Sequence, residues 1–138
     1  MIPRTMRKRA SNLLKAIAIG ASLSAATGFA GERVPLENQK IEYLIGAVEA
    51  LQNAQFIRNG TSYDANAAAD HLRLKLRTAG SRVKTAEDFI RYCASVSSVS
   101  GQPYQIRFSD GRIVTSEAFL RERLAEYESH HTIAGGVE

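Results

Sequence analysis

The sequence predicts a single α+β domain, mainly α-helical, with one small β-hairpin. Several segments place their apolar residues at helical spacing. One segment alternates around the turn pair Asp110-Gly111, as a hairpin does. The chain has a single cysteine, Cys93, so packing and not an internal disulfide must hold the fold together. The predicted order is helix, helix, helix, hairpin, helix.

Residues 1–30 have the pattern of a secretory signal peptide. Basic residues without any acid precede the apolar run 16–26, and the small residues Gly28 and Ala30 follow it. The run is rich in Ala, Ser and Gly and falls short of the ~20 apolar residues that a spanning helix needs. We therefore expect cleavage after Ala30, a periplasmic location and no transmembrane segment in the mature chain.

The charge balance changes once this segment is removed. Five of the 18 basic residues and none of the 14 acidic residues lie in residues 1–30, so the mature chain carries 13 basic against 14 acidic residues. Nucleic-acid-binding domains are usually strongly basic, so no nucleic-acid partner is expected. Residues 31–128 are predicted to form the globular domain, and the polar and glycine-rich residues 129–138 a frayed tail.

The first half of the domain is predicted to contain two helices joined by a turn. Apolar residues recur at helical spacing from Leu36 to about Asn53, and Asn59-Gly60 then marks a turn. Asp64 is a suitable N-cap for the next element. Its "HLRLKLR" alternates as a strand does, but the preceding alanine run and the following Gly80 favour a helix. On that helix the apolar face comprises Ala68, Leu72, Leu76 and Ala79, with Lys75 inside it and Leu74 outside it.

The second half is predicted to add two helices and the hairpin. Thr85 and Asp88 resemble a capping box, and Cys93 falls on the apolar face of the helix that follows. Gly101 is expected to end this helix in a left-handed conformation, with Pro103 as the stop. "QIRF" and "RIVT" form the hairpin, and Ser116 is expected to cap the last helix. The residues expected to face inward there are Leu120, Leu124 and Tyr127.

The segments "FIRNG", "AAADHLRLKLRTAGSRVKTAEDFI" and "SSVSGQPYQIRF", taken in this order, are similar to the YfeK-like family of small exported bacterial proteins. The similarity covers residues 41–124. "SDGRIVTSEAFL" looks like the ending of some members and is less diagnostic. The resemblance implies a shared fold and a periplasmic location, and it implies no activity, because this is a domain of unknown function.

Polar residues of three segments are candidates for a binding groove: the "RNG" turn, the His71/Lys75 helix face and the "SSVSG" turn. Residues four apart on a helix are neighbours, which pairs His71 with Lys75. The candidate binding residues are Arg58, Asn59, His71, Lys75, Ser97, Ser98, Ser100 and Tyr104. No complete catalytic set and no metal-ligand spacing is recognisable, so we expect a non-enzymatic binding or interaction module without metal or cofactor.

Two alternatives remain open for these residues. A small hydrolase or transferase would use a serine of the 97–100 turn with His71 or Lys75 as its base. A purely structural role would instead tie that turn to the second helix. The stretch "RLKLRTAGSRVK", which includes Lys75 and contains no acid, is a candidate partner surface for an envelope protein or an anionic envelope component. Its basic residues are Arg73, Lys75, Arg77, Arg82 and Lys84.

Overall fold

The computed structural model describes residues 33–135, so the predicted signal peptide lies outside the described part of the chain. Within these residues, four helices pack on one face of a four-stranded antiparallel sheet, which confirms the predicted α+β class. The elements are α1 (Pro35–Glu49), β1 (Gln55–Arg58), β2 (Thr61–Tyr63), α2 (Ala65–Ala79), α3 (Ala86–Phe89), β3 (Gln105–Arg107), β4 (Ile113–Thr115) and α4 (Ser116–Ala134). A 3₁₀ turn (Gly80–Arg82) follows α2, and a π-helical segment (Ile90–Ala94) follows α3.

The sheet has the strand order β2-β1-β3-β4, and the predicted β3–β4 hairpin forms half of it. The other half is a β1–β2 hairpin, of which the sequence predicted only the turn. Asn59 and Gly60 have φ angles of 50° and 77°, and positive φ at both positions is what a two-residue hairpin loop requires. Phe56 pairs with Tyr63 on one side and with Ile106 on the other, so β1 joins the two hairpins.

One core lies between the sheet and the helices. Strand residues Phe56 and Ile106 are buried, whereas their neighbours Gln55, Gln105 and Arg107 are exposed, so the sheet presents one face to the core. The largest fully buried helical side chains are Ile41, Leu44, Ile45 and Val48 from α1, Phe89 and Ile90 from the α3 region, and Leu120 from α4. Burial of apolar surface on this scale is the main source of stability in a domain without disulfides.

Helix α2 forms over the segment whose pattern suggested either a helix or a strand. The Asp64 carboxylate accepts a hydrogen bond from the Ala67 amide at 2.8 Å, which confirms the predicted N-cap. Gly80 ends the helix with a φ of 53°. Leu72 and Leu76 are buried while Leu74 is half-exposed, as the helical spacing predicted.

The third helix is shorter than predicted. The Thr85–Asp88 capping box is present and Cys93 is buried. However, the chain passes into a π-helical turn at Ile90, and the Ser95 hydroxyl donates to the Ile90 carbonyl at 2.7 Å, so regular α-helix does not continue.

Gly101 and Pro103 therefore lie in a loop and do not terminate the helix, contrary to the prediction. The Gly101 amide donates to the Ser97 carbonyl at 2.8 Å, with a glycine φ of 71° that closes the loop. Pro103 lies opposite Val96 in an isolated β-bridge. The serine-rich segment is thus a closed loop held at both ends.

The start and end of α4 both differ from the prediction. Thr115, and not Ser116, is the N-cap, because its hydroxyl accepts from the Ala118 amide at 3.2 Å. Leu120, Leu124 and Tyr127 are buried as predicted. The helix continues beyond residue 128 to Ala134. His131 stacks on the Tyr127 ring at a centroid distance of 3.9 Å, which supports the extra turn.

Within residues 33–135, no helix combines the length and the apolar character needed to cross a membrane.

Candidate binding pocket

A pocket of about 260 Å³ lies between the β1–β2 hairpin and helix α2, and it also reaches α1 and the start of α4. Its lining is mainly apolar, with a few polar side chains that converge on one side. Its residues are Val48, Phe56, Ile57, Arg58, Tyr63, Ala67, Ala68, His71, Leu72, Tyr104 and Ser116. An apolar cavity with a small number of placed polar groups is the usual form of a small-molecule site.

The sequence creates this pocket by placing small residues where α2 faces the hairpin. Ala67 and Ala68 occupy the first turns of α2, and their short side chains leave space that larger residues would fill. His71 and Leu72 follow one turn later on the same face. Across the space, Arg58 and Phe56 are two apart on β1 and share a face of the strand.

Arg58 and His71 are in direct contact at the pocket. One terminal nitrogen of Arg58 lies 2.8 Å from Nε2 and 3.1 Å from Nδ1 of the imidazole. The lone-pair directions of the two ring nitrogens diverge in the ring plane, so a single donor cannot be aligned with both. The Arg58 guanidinium also lies over the Tyr63 ring, 5.6 Å from its centroid. Arg58 is therefore held by the face of the Tyr63 ring and by a contact that one of its nitrogens shares between the two imidazole nitrogens.

The pKa of His71 is lowered from its ordinary value of 6.5. Burial is the first cause, since it disfavours the charged imidazolium, and the positive charges of Arg58 and Lys75 act in the same direction. His71 is therefore neutral at neutral pH and can act there as a hydrogen-bond acceptor or donor through either ring nitrogen.

Tyr104 connects the pocket to Lys75. The tyrosine ring is buried and meets His71 edge-on, with 6.2 Å between ring centroids. Its hydroxyl accepts a hydrogen bond from the Lys75 ammonium at 3.0 Å. Lys75 also donates to the Val96 carbonyl at 3.3 Å. Its amine is therefore engaged by neutral oxygen atoms next to the pocket and is absent from the lining.

The serine turn forms a second network, centred on Asn59. The Asn59 amide donates to the Ser97 hydroxyl at 3.2 Å, and the Ser100 hydroxyl donates to the Asn59 side-chain oxygen. Ser97 is buried and also accepts from the Ser100 amide at 3.4 Å, whereas Ser98 is exposed. These contacts fasten the serine loop to the β1–β2 turn.

The structure thus divides the predicted binding residues into three groups. Arg58, His71 and Tyr104 line the pocket, and Lys75 supports Tyr104. Asn59, Ser97 and Ser100 form the neighbouring network, and Ser98 faces solvent. In residues 33–135, none of these serine hydroxyls is hydrogen-bonded to His71 or Lys75.

The sequence did not predict the apolar side of the pocket or the part of Tyr63 in it. A hairpin predicted around Asn59-Gly60 would have placed Tyr63 in the site, because a two-residue loop there pairs Tyr63 with Phe56. Ser116 is buried at the pocket wall because it occupies the first turn of α4 and not the cap position predicted for it.

Some basic side chains of the predicted partner surface form contacts within the protein. Arg73 forms ion pairs with Glu49 at 2.7 Å and with Asp70 at 3.1 Å, and Lys75 is engaged as described above. Arg82 lies over the Tyr92 ring at 5.3 Å. Arg77, Arg82 and Lys84 are exposed, whereas Arg73 and Lys75 are half-buried. The stretch therefore does not form one continuous set of exposed cations.

A second depression lies between α1 and α4 and has different chemistry. It is lined by Tyr43, Gly46, Ala47, Ala50, Leu51, Phe119 and Arg123. Its one charged residue, Arg123, is paired with Glu126 at 2.7 Å and with Glu122 at 3.3 Å.

Across the part of the chain that the structure describes, no group of three or more His, Cys, Asp or Glu side chains is placed to hold a metal ion.

Comparison with known proteins gives a family and no activity. The family of unknown function DUF5329 matches residues 35–128, which include the whole pocket lining. A curated relative, the uncharacterized protein YfeK of Salmonella typhimurium (strain LT2), is 40% identical over 68 residues, or 49% of this chain. The aligned region spans 57% of that relative's length. No solved structure matches the chain. The predicted resemblance to the YfeK-like family is thereby confirmed.

Proposed function

We propose that this chain, which belongs to the family of unknown function DUF5329, is an exported protein of the bacterial envelope that binds a small, largely apolar molecule. The observation that carries the proposal is the pocket between the β1–β2 hairpin and α2. It combines apolar walls with the converging side chains of Arg58, His71 and Tyr104. Binding without chemical conversion is the activity that this arrangement supports best.

The size of the pocket restricts the ligand. A volume of about 260 Å³ lies just under the range of roughly 300–1,000 Å³ that is usual for ligand pockets. The walls formed by Val48, Phe56 and Leu72 favour a hydrocarbon or aromatic group over a sugar or a nucleotide, because each buried CH₂ contributes about 0.8 kcal/mol. We therefore expect a ligand with a short apolar body.

The geometry gives little support to a serine-dependent reaction. A serine nucleophile needs a base within hydrogen-bond reach, and the hydroxyls of Ser97 and Ser100 instead bond to Asn59. His71 and Lys75 are engaged by Arg58 and Tyr104 respectively. The arrangement therefore favours binding over a hydrolase or transferase reaction.

Export is the other part of the proposal and rests on residues 1–30. Their basic start, short apolar run and small residues before position 31 are typical of a cleaved secretory signal. Intact-mass measurement of the protein from a periplasmic fraction tests this directly. We expect a chain that begins at Gly31, and recovery of the full-length chain from the cytosol would contradict export.

Ligand binding can be tested with 1-hexanol, a small neutral probe, by NMR titration of the ¹⁵N-labelled protein. We expect saturable shifts of the Ala67, His71 and Leu72 amides. Ala67→Leu should abolish them, because the larger side chain occupies the pocket. Asn66→Leu is the control, since it places the same leucine side chain at the neighbouring exposed position outside the lining. Equal titration of the two variants would overturn the proposed site.

A further inference from the structure

We infer that the ligand of this pocket is a small amphiphilic anion, whose charged group binds at Arg58 and His71 while its apolar part fills the space beside α2. This inference rests on the proposed function and adds the charge class of the ligand. It is carried by the way the structure holds Arg58.

Arg58 lacks a carboxylate partner in the part of the chain that the structure describes. It is half-buried, and its guanidinium lies against a neutral imidazole and an aromatic face. Arg33, also half-buried, donates to the Asn38 side-chain oxygen and the Val83 carbonyl, and two further half-buried arginines are paired with carboxylates. Arg73 binds Glu49 at 2.7 Å, and Arg123 binds Glu126 at the same distance. Arg58 is therefore a partly desolvated cation whose natural counterpart, an anion, is supplied by neither β1 nor α2.

The guanidinium of Arg58 is also well suited to exchange its present contact for an anion. Its planar donor groups match the oxygen atoms of a carboxylate, sulfonate or phosphate, often two at a time. The Arg58 donor is shared between the two nitrogens of a neutral imidazole and cannot be aligned with both, so an anion can replace this contact at little cost. An anion adds an opposite charge to this contact, which the neutral imidazole does not supply.

The charged side chains that act on His71 are both cations. Arg58 faces the imidazole from β1, Lys75 lies one turn along α2, and the Tyr104 ring meets it from the loop before β3. The Tyr63 ring on β2 contacts the Arg58 guanidinium and not the imidazole itself. No acidic side chain lines the pocket among the described residues. Negative charge entering this space would be attracted by the cations and would meet no carboxylate.

Entry of an anion would also change the protonation of His71. In the free protein, burial and two nearby cations keep the imidazole neutral. An anion beside Arg58 offsets the cationic charge and can accept a hydrogen bond from a protonated ring. By linkage, a ligand that raises proton affinity must itself bind more tightly as the pH falls. Binding of the anion is therefore expected to take up a proton at His71.

The test compares 1-hexanesulfonate with 1-hexanol, which have the same apolar chain and differ in charge. We expect the sulfonate to bind about tenfold more tightly, because one charge-assisted contact is worth roughly that factor. Arg58→Gln should remove this difference while hexanol binding persists, which also shows that the pocket remains folded. Arg107→Gln, an exposed arginine on β3 outside the pocket, should leave the difference intact.

The same titrations at about pH 7.5 and about pH 5.5 test the proton uptake, since a sulfonate stays ionised across this range. We expect tighter sulfonate binding at the lower pH, an unchanged hexanol affinity, and loss of the pH effect in His71→Gln. Equal affinities for both probes in the unmodified protein would overturn the anion inference and leave the proposed function standing. Failure of both probes to bind would overturn the proposed function itself.

Discussion

The Lys75 ammonium donates a hydrogen bond to the Tyr104 hydroxyl at 3.0 Å, and also lies 4.9 Å from the centroid of the Tyr104 ring. The same amine reaches the Val96 carbonyl, so one side chain of α2 joins the loop before β3 to the segment after the π-helical turn. Tyr104 is fixed further by its backbone, whose amide donates to Ser95 and whose carbonyl accepts from Ser116. The wall of the pocket therefore depends on a lysine outside its lining.

Lys75→Met should lower the free energy of unfolding by about 1–2 kcal/mol, because it removes hydrogen bonds from a charged donor while keeping an unbranched side chain. Urea denaturation measures this. Tyr104→Phe should cost a similar amount, and the double variant less than the sum, since both remove the same contact. Lys84→Met, at an exposed position, is the control. A loss in Lys84→Met as large as that in Lys75→Met would count against the assigned role.

Asn59 has two roles that substitution can separate. Its side chain bonds to Ser97 and Ser100, and its backbone has a φ of 50°. Asn59→Gly removes the hydrogen bonds but tolerates the backbone, and should cost about 1 kcal/mol. Asn59→Ala should cost about 1 kcal/mol more, because a residue with a Cβ is strained at positive φ. Thermal unfolding of both variants measures the difference, and equal stability would show that the turn relaxes without strain.

The sequence predicted those elements whose signals are local. The Asp64 cap, the Thr85–Asp88 capping box and the burial of Cys93 all follow from residues within one or two turns of each other. The β1–β2 hairpin was not predicted because β2 is three residues long and none of its residues is buried, so it has no alternation to detect. Its pairing is set by β1, which is itself placed by β3 across a long stretch of chain.

Only part of the candidate site could be predicted from the sequence, because only part of it is formed by residues that lie close together in the chain. Helical spacing placed His71 and Lys75 together, but their partners Arg58 and Tyr104 come from distant segments. The apolar walls could not be found without the hairpin, since Tyr63 reaches the pocket only through it. Nor does spacing reveal that Ser97 and Ser100 turn toward Asn59, because that contact depends on how the loop closes.

Protonation of His71 should destabilise the fold. The unfolded chain has the ordinary histidine pKa of 6.5, whereas burial first, and then Arg58 and Lys75, lower the pKa in the folded state. Between these two pKa values the unfolded state binds more protons than the folded state. The contribution of neutral His71 to stability is therefore fully present above pH 6.5 and is lost as the pH falls toward the folded-state pKa. Urea midpoints should therefore decline from about pH 7.5 to about pH 5.5. His71→Gln should show a smaller decline, and an identical decline would assign the effect to other groups.

Cys93 should react slowly with thiol reagents in the native protein. It is fully buried, and burial raises the pKa of its thiol, although the charges of Lys75, Arg33 and Arg82 act weakly in the opposite direction. Both the access of reagent and the thiolate fraction are therefore low. Labelling with Ellman's reagent should proceed only as the region opens, and should accelerate in Lys75→Met, which frees the neighbouring loop. Prompt labelling of the folded protein at the rate seen in urea would contradict the burial of Cys93.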